Sequence, residues 1–135
     1  MSKPFIVVST MRIKQGKHEQ YKQFILELLK VFEEQEPQII SFNVFFNEDG
    51  TEMTGIQLHP NAASMDFHLQ VLGQARLELA EKYGDVFDYI EPKSIGYYGT
   101  PSASALESIS QFPAFGATID LKSVHVAGFT RSAAG

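Results

Sequence analysis

The chain has 135 residues, a net charge of −5 and no cysteine. This length fits one domain that can bury a hydrophobic core without cross-links. The absence of cysteine excludes disulfides, a thiolate nucleophile and cysteine-ligated metal, and it favours a reducing location such as the cytoplasm. The eleven basic residues form no stripe, so we expect no nucleic-acid partner. No apolar stretch approaches a membrane-spanning length, so we expect no membrane partner either.

The first half of the chain predicts a strand, a helix and two further strands. Residues Phe5 to Ile13 are rich in apolar and β-branched side chains, which indicates a strand. From Lys17 to Glu36 apolar residues recur at helical spacing, which predicts an amphipathic helix that Pro37 ends. The segments Ile39 to Asn47 and Glu52 to Leu58 predict an antiparallel pair of strands, because a turn with hairpin chemistry separates them.

The second half predicts another helix and a fourth strand. Asn61 is a plausible cap for a helix that Gly73 interrupts and that resumes from Gln74 to Tyr83. Tyr89 to Tyr98 predicts a strand, with Pro92 at an edge or bulge position. The order strand, helix, strand, strand, helix, strand predicts an α+β, ferredoxin-like βαββαβ fold with an antiparallel sheet.

The domain organisation follows from the same pattern. We expect one domain over residues 1–135, with a core at 3–98, an extension at 99–131 and a frayed tail at 132–135. A short helix and a fifth strand are predicted within the extension. A four-stranded sheet with helices on one face leaves its other face bare. A second copy of the chain would cover that face, so a homodimer is expected.

Three segments carry a family resemblance. Met11 to Lys17 is a strand that ends in a Gly-Lys turn, Glu36 to Phe45 is a Glu-Pro turn followed by a strand, and Ile56 to Leu69 runs into a helix that carries His68. In this order they resemble the antibiotic biosynthesis monooxygenase-like family of dimeric α+β barrel proteins, over residues 3–98. The resemblance implies that two copies of the chain, each a ferredoxin-like half, pack their sheets into a barrel around a pocket. It also implies oxygenation of a small aromatic or quinol-type substrate, with no metal, flavin or other cofactor.

The sequence departs from the family pattern in ways that bear on haem. The family often has Gly where this chain has Gln38, and Trp where it has His59. Haem-degrading relatives use an Asn on the first strand together with a Trp and a His. Ser9 falls at the Asn position, and the chain contains no Trp. Haem degradation by that arrangement is therefore not expected.

The candidate site residues lie on the predicted strands and the second helix. His68 is the expected catalytic residue, as a general base or an orienting group, although a hydrogen-bonded histidine at the rim of the core would look the same. Asn43 lies on the mixed face of the second strand, opposite a wholly apolar face, and is expected to bind substrate together with Ser9. Tyr97 and Tyr98 are also candidates, but adjacent strand residues face opposite ways, so only one can enter the pocket.

His59 completes the predicted site, either as a substrate-binding group or as an exposed loop residue. Its spacing from His68 matches no metal-binding motif, so no metal site is expected. Two functions stay open at this point. One is a cofactor-free monooxygenase, and the other is a non-catalytic protein that holds an apolar metabolite or haem in the same pocket. Isomerase or decarboxylase chemistry is a third use of such a pocket.

Overall fold

The computed structural model describes residues 3–131, which form one sheet with helices on one of its faces. The elements, in chain order, are β1 (Phe5–Ile13), α1 (His18–Gln35), β2 (Ser41–Phe46), β3 (Glu52–His59), α2 (Ala62–Tyr83), β4 (Ile90–Tyr98), α3 (Ala103–Ile109) and β5 (Thr118–Lys122). Short 3-10 turns span Val86–Asp88 and Phe112–Phe115. The tail predicted at 132–135 lies outside the described residues.

The strand order is β2-β3-β1-β4-β5. β1 pairs antiparallel with both β3 and β4, and β2 pairs antiparallel with β3. The predicted α+β ferredoxin-like fold is therefore confirmed. The antiparallel pairing predicted for the four core strands is also confirmed, whereas β5 of the extension pairs parallel with β4 and makes the five-stranded sheet mixed. The chain crosses over through α3 before β5 begins, and such a crossover is what parallel neighbours need.

Helix α2 differs from its prediction at Gly73, because the helix is continuous through that residue. Val71 and Ala75 on either side are buried in the core, and this packing outweighs the helix-weakening effect of glycine, which is about 1 kcal/mol. The predicted cap is confirmed, since the Asn61 side chain accepts a hydrogen bond from the Ser64 backbone N–H. The predicted bulge is confirmed too: the pairing of β1 with β4 changes register opposite Pro92.

The two faces of the sheet are unlike. Helices α1, α2 and α3 cover the face that carries Val7, Ser9 and Met11 of β1 together with the apolar residues Phe42 and Val44 of β2. The opposite face carries the intervening residues of every strand, and no helix within residues 3–131 lies over it. Among residues 3–131 no helix has the length and apolar character that crossing a membrane would require. The two core clusters lie between the sheet and the helices.

Candidate active site

A cavity of about 370 Å³ lies between the sheet and the helices. This volume suits a small organic molecule. Most of the wall is apolar and comes from α1, α2 and the first four strands. The lining side chains with polar groups are Ser9, Tyr21, Gln57, His68, Arg76, Tyr97, Ser108 and Gln111. The resemblance implied a pocket enclosed by two sheets, whereas this cavity is enclosed within one chain, on the face that the helices cover.

His68 and Glu36 form a buried pair at one wall of this cavity. Nδ1 of His68 lies 2.9 Å and 3.1 Å from the two carboxylate oxygens of Glu36. The two residues are only 1% and 2% exposed. Pro37 follows the end of α1, and the non-helical backbone of Glu36 (φ −122°, ψ 74°) brings its side chain to α2. Polar groups at this depth are tolerated because they are hydrogen-bonded to each other.

The other ring nitrogen of His68 faces the cavity. Within residues 3–131, Nε2 has no hydrogen-bond partner, and no fully buried side-chain nitrogen or oxygen lacks one. Nε2 is therefore accessible from the cavity that His68 lines. Phe32 and Phe42 pack edge-on against the imidazole, with ring centroids at 4.6 Å and 5.7 Å. The ring is held in one orientation, with Nδ1–H donating to Glu36 and the Nε2 lone pair free to take a proton.

His59 lies behind the cavity wall and forms a second hydrogen-bond network, with Ser64 and Gln57. Its Nδ1 is 2.8 Å from Ser64 Oγ, and its Nε2 is 2.9 Å from Gln57 Oε1. Burial, and secondarily repulsion from a protonated His68, lower the pKa of His59 from 6.5 to about 4. The ring is therefore neutral near pH 7, so that Nε2–H donates to Gln57 while Nδ1 accepts from the Ser64 hydroxyl. His59 positions Gln57, whose side chain lines the cavity.

Tyr97 and Ser9 reach the cavity from β4 and β1. The Tyr97 hydroxyl lies 3.3 Å from both the Ala105 carbonyl oxygen and Ser108 Oγ. Burial raises the pKa of Tyr97, so its hydroxyl keeps its proton at neutral pH and remains a donor. Together with His68, these side chains are the predicted site residues that line the cavity.

Three predicted site residues lie elsewhere. Asn43 is exposed on the helix-free face of β2, because the wholly apolar face of that strand packs toward the helices. Tyr98 points to the same helix-free side, where its hydroxyl donates to Asp120 at 2.9 Å. His59 is fully buried instead of exposed in a loop, and it contacts Gln57 and not the cavity. The cavity occupies the apolar face of the sheet, opposite to the mixed face that the prediction of Asn43 favoured.

Three residues of the site were missed from the sequence. Glu36 ends an acidic run and resembles a solvated helix terminus, and nothing local links it to His68, 32 positions away. Gln57 did leave a signal, because strand alternation places it on the same face as Met53 and Gly55. In the structure this face is buried. Arg76 lies on a helix with little amphipathic pattern, so its position at a cavity was not evident. Within residues 3–131 no group of three or more metal-ligating side chains comes together.

The fold and the cavity define a class of protein: a ferredoxin-like α+β domain with a mostly apolar cavity and a buried carboxylate–histidine pair. No protein-family model matches the sequence, and no curated protein matches it significantly. Solved structures do resemble it. MupZ from Pseudomonas fluorescens superposes with a TM-score of 0.67 at 14% identity, over 99% of this chain and 99% of that one.

Two other structures connect this fold with oxygenases. A variant of SnoaB, a cofactor-independent oxygenase from Streptomyces nogalater, has a TM-score of 0.56 at 8% identity, over 76% of this chain and 97% of its own. A candidate antibiotic biosynthesis monooxygenase from Bacteroides thetaiotaomicron has a TM-score of 0.56 at 13% identity, over 75% and 90% of the two chains. The fold is therefore the one found in antibiotic biosynthesis monooxygenases, as the sequence resemblance implied.

Proposed function

We propose that this chain is an enzyme in which His68 exchanges a proton with a small apolar substrate, and that the reaction is a cofactor-independent oxygenation of a phenol or quinol. One observation carries the proposal: the buried Glu36–His68 pair presents a free imidazole nitrogen to an apolar cavity. The likeness to a cofactor-independent oxygenase supports the choice of oxygenation.

The proposed chemistry uses the substrate as its own reductant. His68 accepts the phenolic proton at Nε2, and Glu36 stabilises the resulting imidazolium through Nδ1–H. The electron-rich anion then transfers one electron to oxygen, and the resulting radical and superoxide combine at a carbon that bears a hydrogen. The peroxide anion takes the proton back from His68 and becomes a hydroperoxide, which restores the neutral ring. Loss of water from the hydroperoxide leaves a carbonyl, so that one oxygen atom enters the product and the other leaves as water. The apolar wall excludes solvent, which strengthens the electrostatic effect of the pair.

The alternative is a protein that only binds an apolar metabolite or haem. A site that merely holds an apolar ligand has no need for a buried carboxylate–histidine pair, because such polar groups are costly to desolvate and are often no more stabilising than apolar substitutes. A histidine fixed on one side by a carboxylate and open on the other is, in contrast, the arrangement that proton transfer requires. The Glu36–His68 geometry therefore favours an enzyme.

Oxygen uptake with a panel of dihydroxynaphthalenes and anthrones tests the proposal. We expect turnover by the wild type without added cofactor, and a loss of roughly 100-fold or more in His68→Gln. Glu36→Gln should lower kcat with little change in KM, because Glu36 acts through His68 and does not touch the substrate. His125→Gln is the control, since that residue lies outside the cavity lining.

The other outcomes of this experiment are also decisive. Turnover that His68→Gln leaves intact would refute the proposed role of the pair. Product formation without oxygen uptake would replace oxygenation by an isomerase- or decarboxylase-type reaction at the same site. Tight binding of the panel with no turnover of any member would favour the non-catalytic alternative.

We further propose that two copies of the chain form a homodimer through the helix-free face of the sheet. Ile56 lies between Val8 and Asn43 in the strand pairing, and it is 38% exposed, while Phe45 nearby on β2 is 58% exposed. Exposed apolar side chains on an uncovered sheet face are typical of an interface.

A cytoplasmic location is proposed separately, because a chain without cysteine suits a reducing compartment.

Mass measurement in solution tests the dimer. We expect twice the 15.1 kDa chain mass for the wild type at micromolar concentration, and a single chain mass for Phe45→Lys. Leu26→Lys is a matched control, because Leu26 is also 58% exposed but lies on α1. A wild type that is monomeric, or a Phe45→Lys variant that remains dimeric, would contradict the proposed interface.

The segment after β5 is proposed to extend this interface. Val124, Val126 and Phe129 are 79%, 91% and 82% exposed, in a stretch that makes no helix or strand within the chain. We expect removal of residues after Lys122 to weaken the dimer while leaving the fold intact, because β5 ends at that residue. An unchanged dimer dissociation constant would contradict a bridging role for the segment.

A further inference from the structure

The cavity lining includes a cationic side chain, Arg76, on the same helix as His68. The two residues are eight positions apart, so their backbones are separated by about 12 Å along the helix axis. Leu69 and Leu72 lie between them in sequence and also line the cavity. The site is therefore elongated, with an imidazole toward one end, a guanidinium toward the other and apolar wall between them.

The Arg76 end of the cavity reaches solvent. Gly73, one helical turn before Arg76, lines the cavity and is exposed to solvent. A Cβ atom added to Gly73 would meet nothing within 4 Å. His68, in contrast, is 1% exposed. A ligand that enters past Gly73 would therefore place its leading part near His68 and leave its trailing part at Arg76.

The guanidinium of Arg76 is available to a ligand. It lies over the Phe87 ring at 5.1 Å from the centroid, and the nearest carboxylate oxygen, on Asp85, is 3.8 Å away. That separation is too long for a hydrogen bond. The Asp85 carboxylate instead accepts a hydrogen bond from the Phe87 backbone N–H, with 2.9 Å between the nitrogen and Oδ1. Within residues 3–131 the guanidinium makes no hydrogen bond, so its five N–H donors remain available to a ligand.

We propose that the substrate is an elongated apolar molecule that ends in a carboxylate, which Arg76 binds at the mouth while the reacting end lies against His68. A guanidinium pairs with a carboxylate through two parallel hydrogen bonds. One cation with Asp85 beside it suits a single negative charge better than a phosphate dianion, which Asp85 would repel more strongly. This inference rests on the proposed function only in placing the reacting end at His68.

Paired probes that differ in one group test the inference. 6-Phenylhexanoate and 6-phenylhexanol share the same apolar body, and only the first carries a charge. By calorimetric titration we expect the wild type to bind the carboxylate about tenfold more tightly than the alcohol. Arg76→Gln should remove that preference and leave the affinity for the alcohol unchanged. Lys82→Gln is the matched control, because Lys82 lies on the same helix but pairs with Glu27 away from the cavity.

The possible outcomes separate this inference from the proposed function. Equal wild-type affinity for the two probes, or a preference that survives in Arg76→Gln, would overturn the carboxylate and leave the His68 chemistry untouched. Failure of both probes to bind would overturn the elongated apolar site, whatever the result of the oxygen-uptake experiment. The preference should also weaken as salt is raised from 0.05 to about 0.5 M, because Arg76 is partly exposed.

Discussion

The His59 network makes the stability of the fold depend on pH in a defined window. His59 is fully buried, and its pKa in the folded chain is about 4, below its ordinary value of 6.5. Between these two values the unfolded chain binds a proton that the folded chain does not. Stability is therefore greatest above pH 6.5 and falls as the pH decreases toward 4. The full difference corresponds to about 3 kcal/mol, of which about 2 kcal/mol is lost between pH 7 and pH 5.

Urea unfolding at pH 7 and pH 5 measures this loss. His59→Gln replaces the ring by an amide that can still donate to Gln57 and accept from Ser64 but does not titrate. We expect the wild type to lose about 2 kcal/mol more than His59→Gln between the two pH values. His125→Gln should follow the wild type, because His125 is half-exposed in the otherwise exposed segment after β5. Equal losses in the wild type and His59→Gln would refute the buried, neutral histidine.

Three further substitutions test local features of the fold by thermal or urea unfolding. Gly73→Ala should raise the free energy of unfolding by about 1 kcal/mol, since the new methyl group meets open space within a helix. Phe32→Ala should lower it by roughly 3 to 5 kcal/mol, because Phe32 is 1% exposed and packs on Phe42 and His68. Ser102→Ala should lower it by about 1 kcal/mol, through loss of the cap that accepts the Ala105 N–H. A change of opposite sign in any of them would contradict the corresponding contact.

The fold was largely predictable because its signals are local. The stripe of apolar residues over α1, the Asn61 cap and the bulge at Pro92 each depend on neighbours a few positions away. The continuity of α2 through Gly73 was not predictable in this way, since it depends on burial of Val71 and Ala75 against other elements. The parallel pairing of β5 likewise depends on where α3 places the chain.

The site was less predictable, because its key pairing joins distant positions. His68 could be selected as a titratable group on a helix, but its partner Glu36 lies 32 positions away and resembles an exposed helix end. The alternation of β2 correctly separated an apolar face from a mixed face. It did not indicate which of the two faces the cavity would occupy. That choice is made by the helices, which cover the apolar face and leave Asn43 outside.

Nitrogen NMR of histidine in the labelled protein tests the central claim most directly. The claim is that a ligand in the cavity meets Nε2 of His68 while Nδ1 stays bonded to Glu36. On titration with 1,5-dihydroxynaphthalene, we expect the His68 Nε2 signal to shift and saturate, with little change at His68 Nδ1 or at His125. A probe that binds the protein but leaves the His68 Nε2 signal unmoved would contradict the claim.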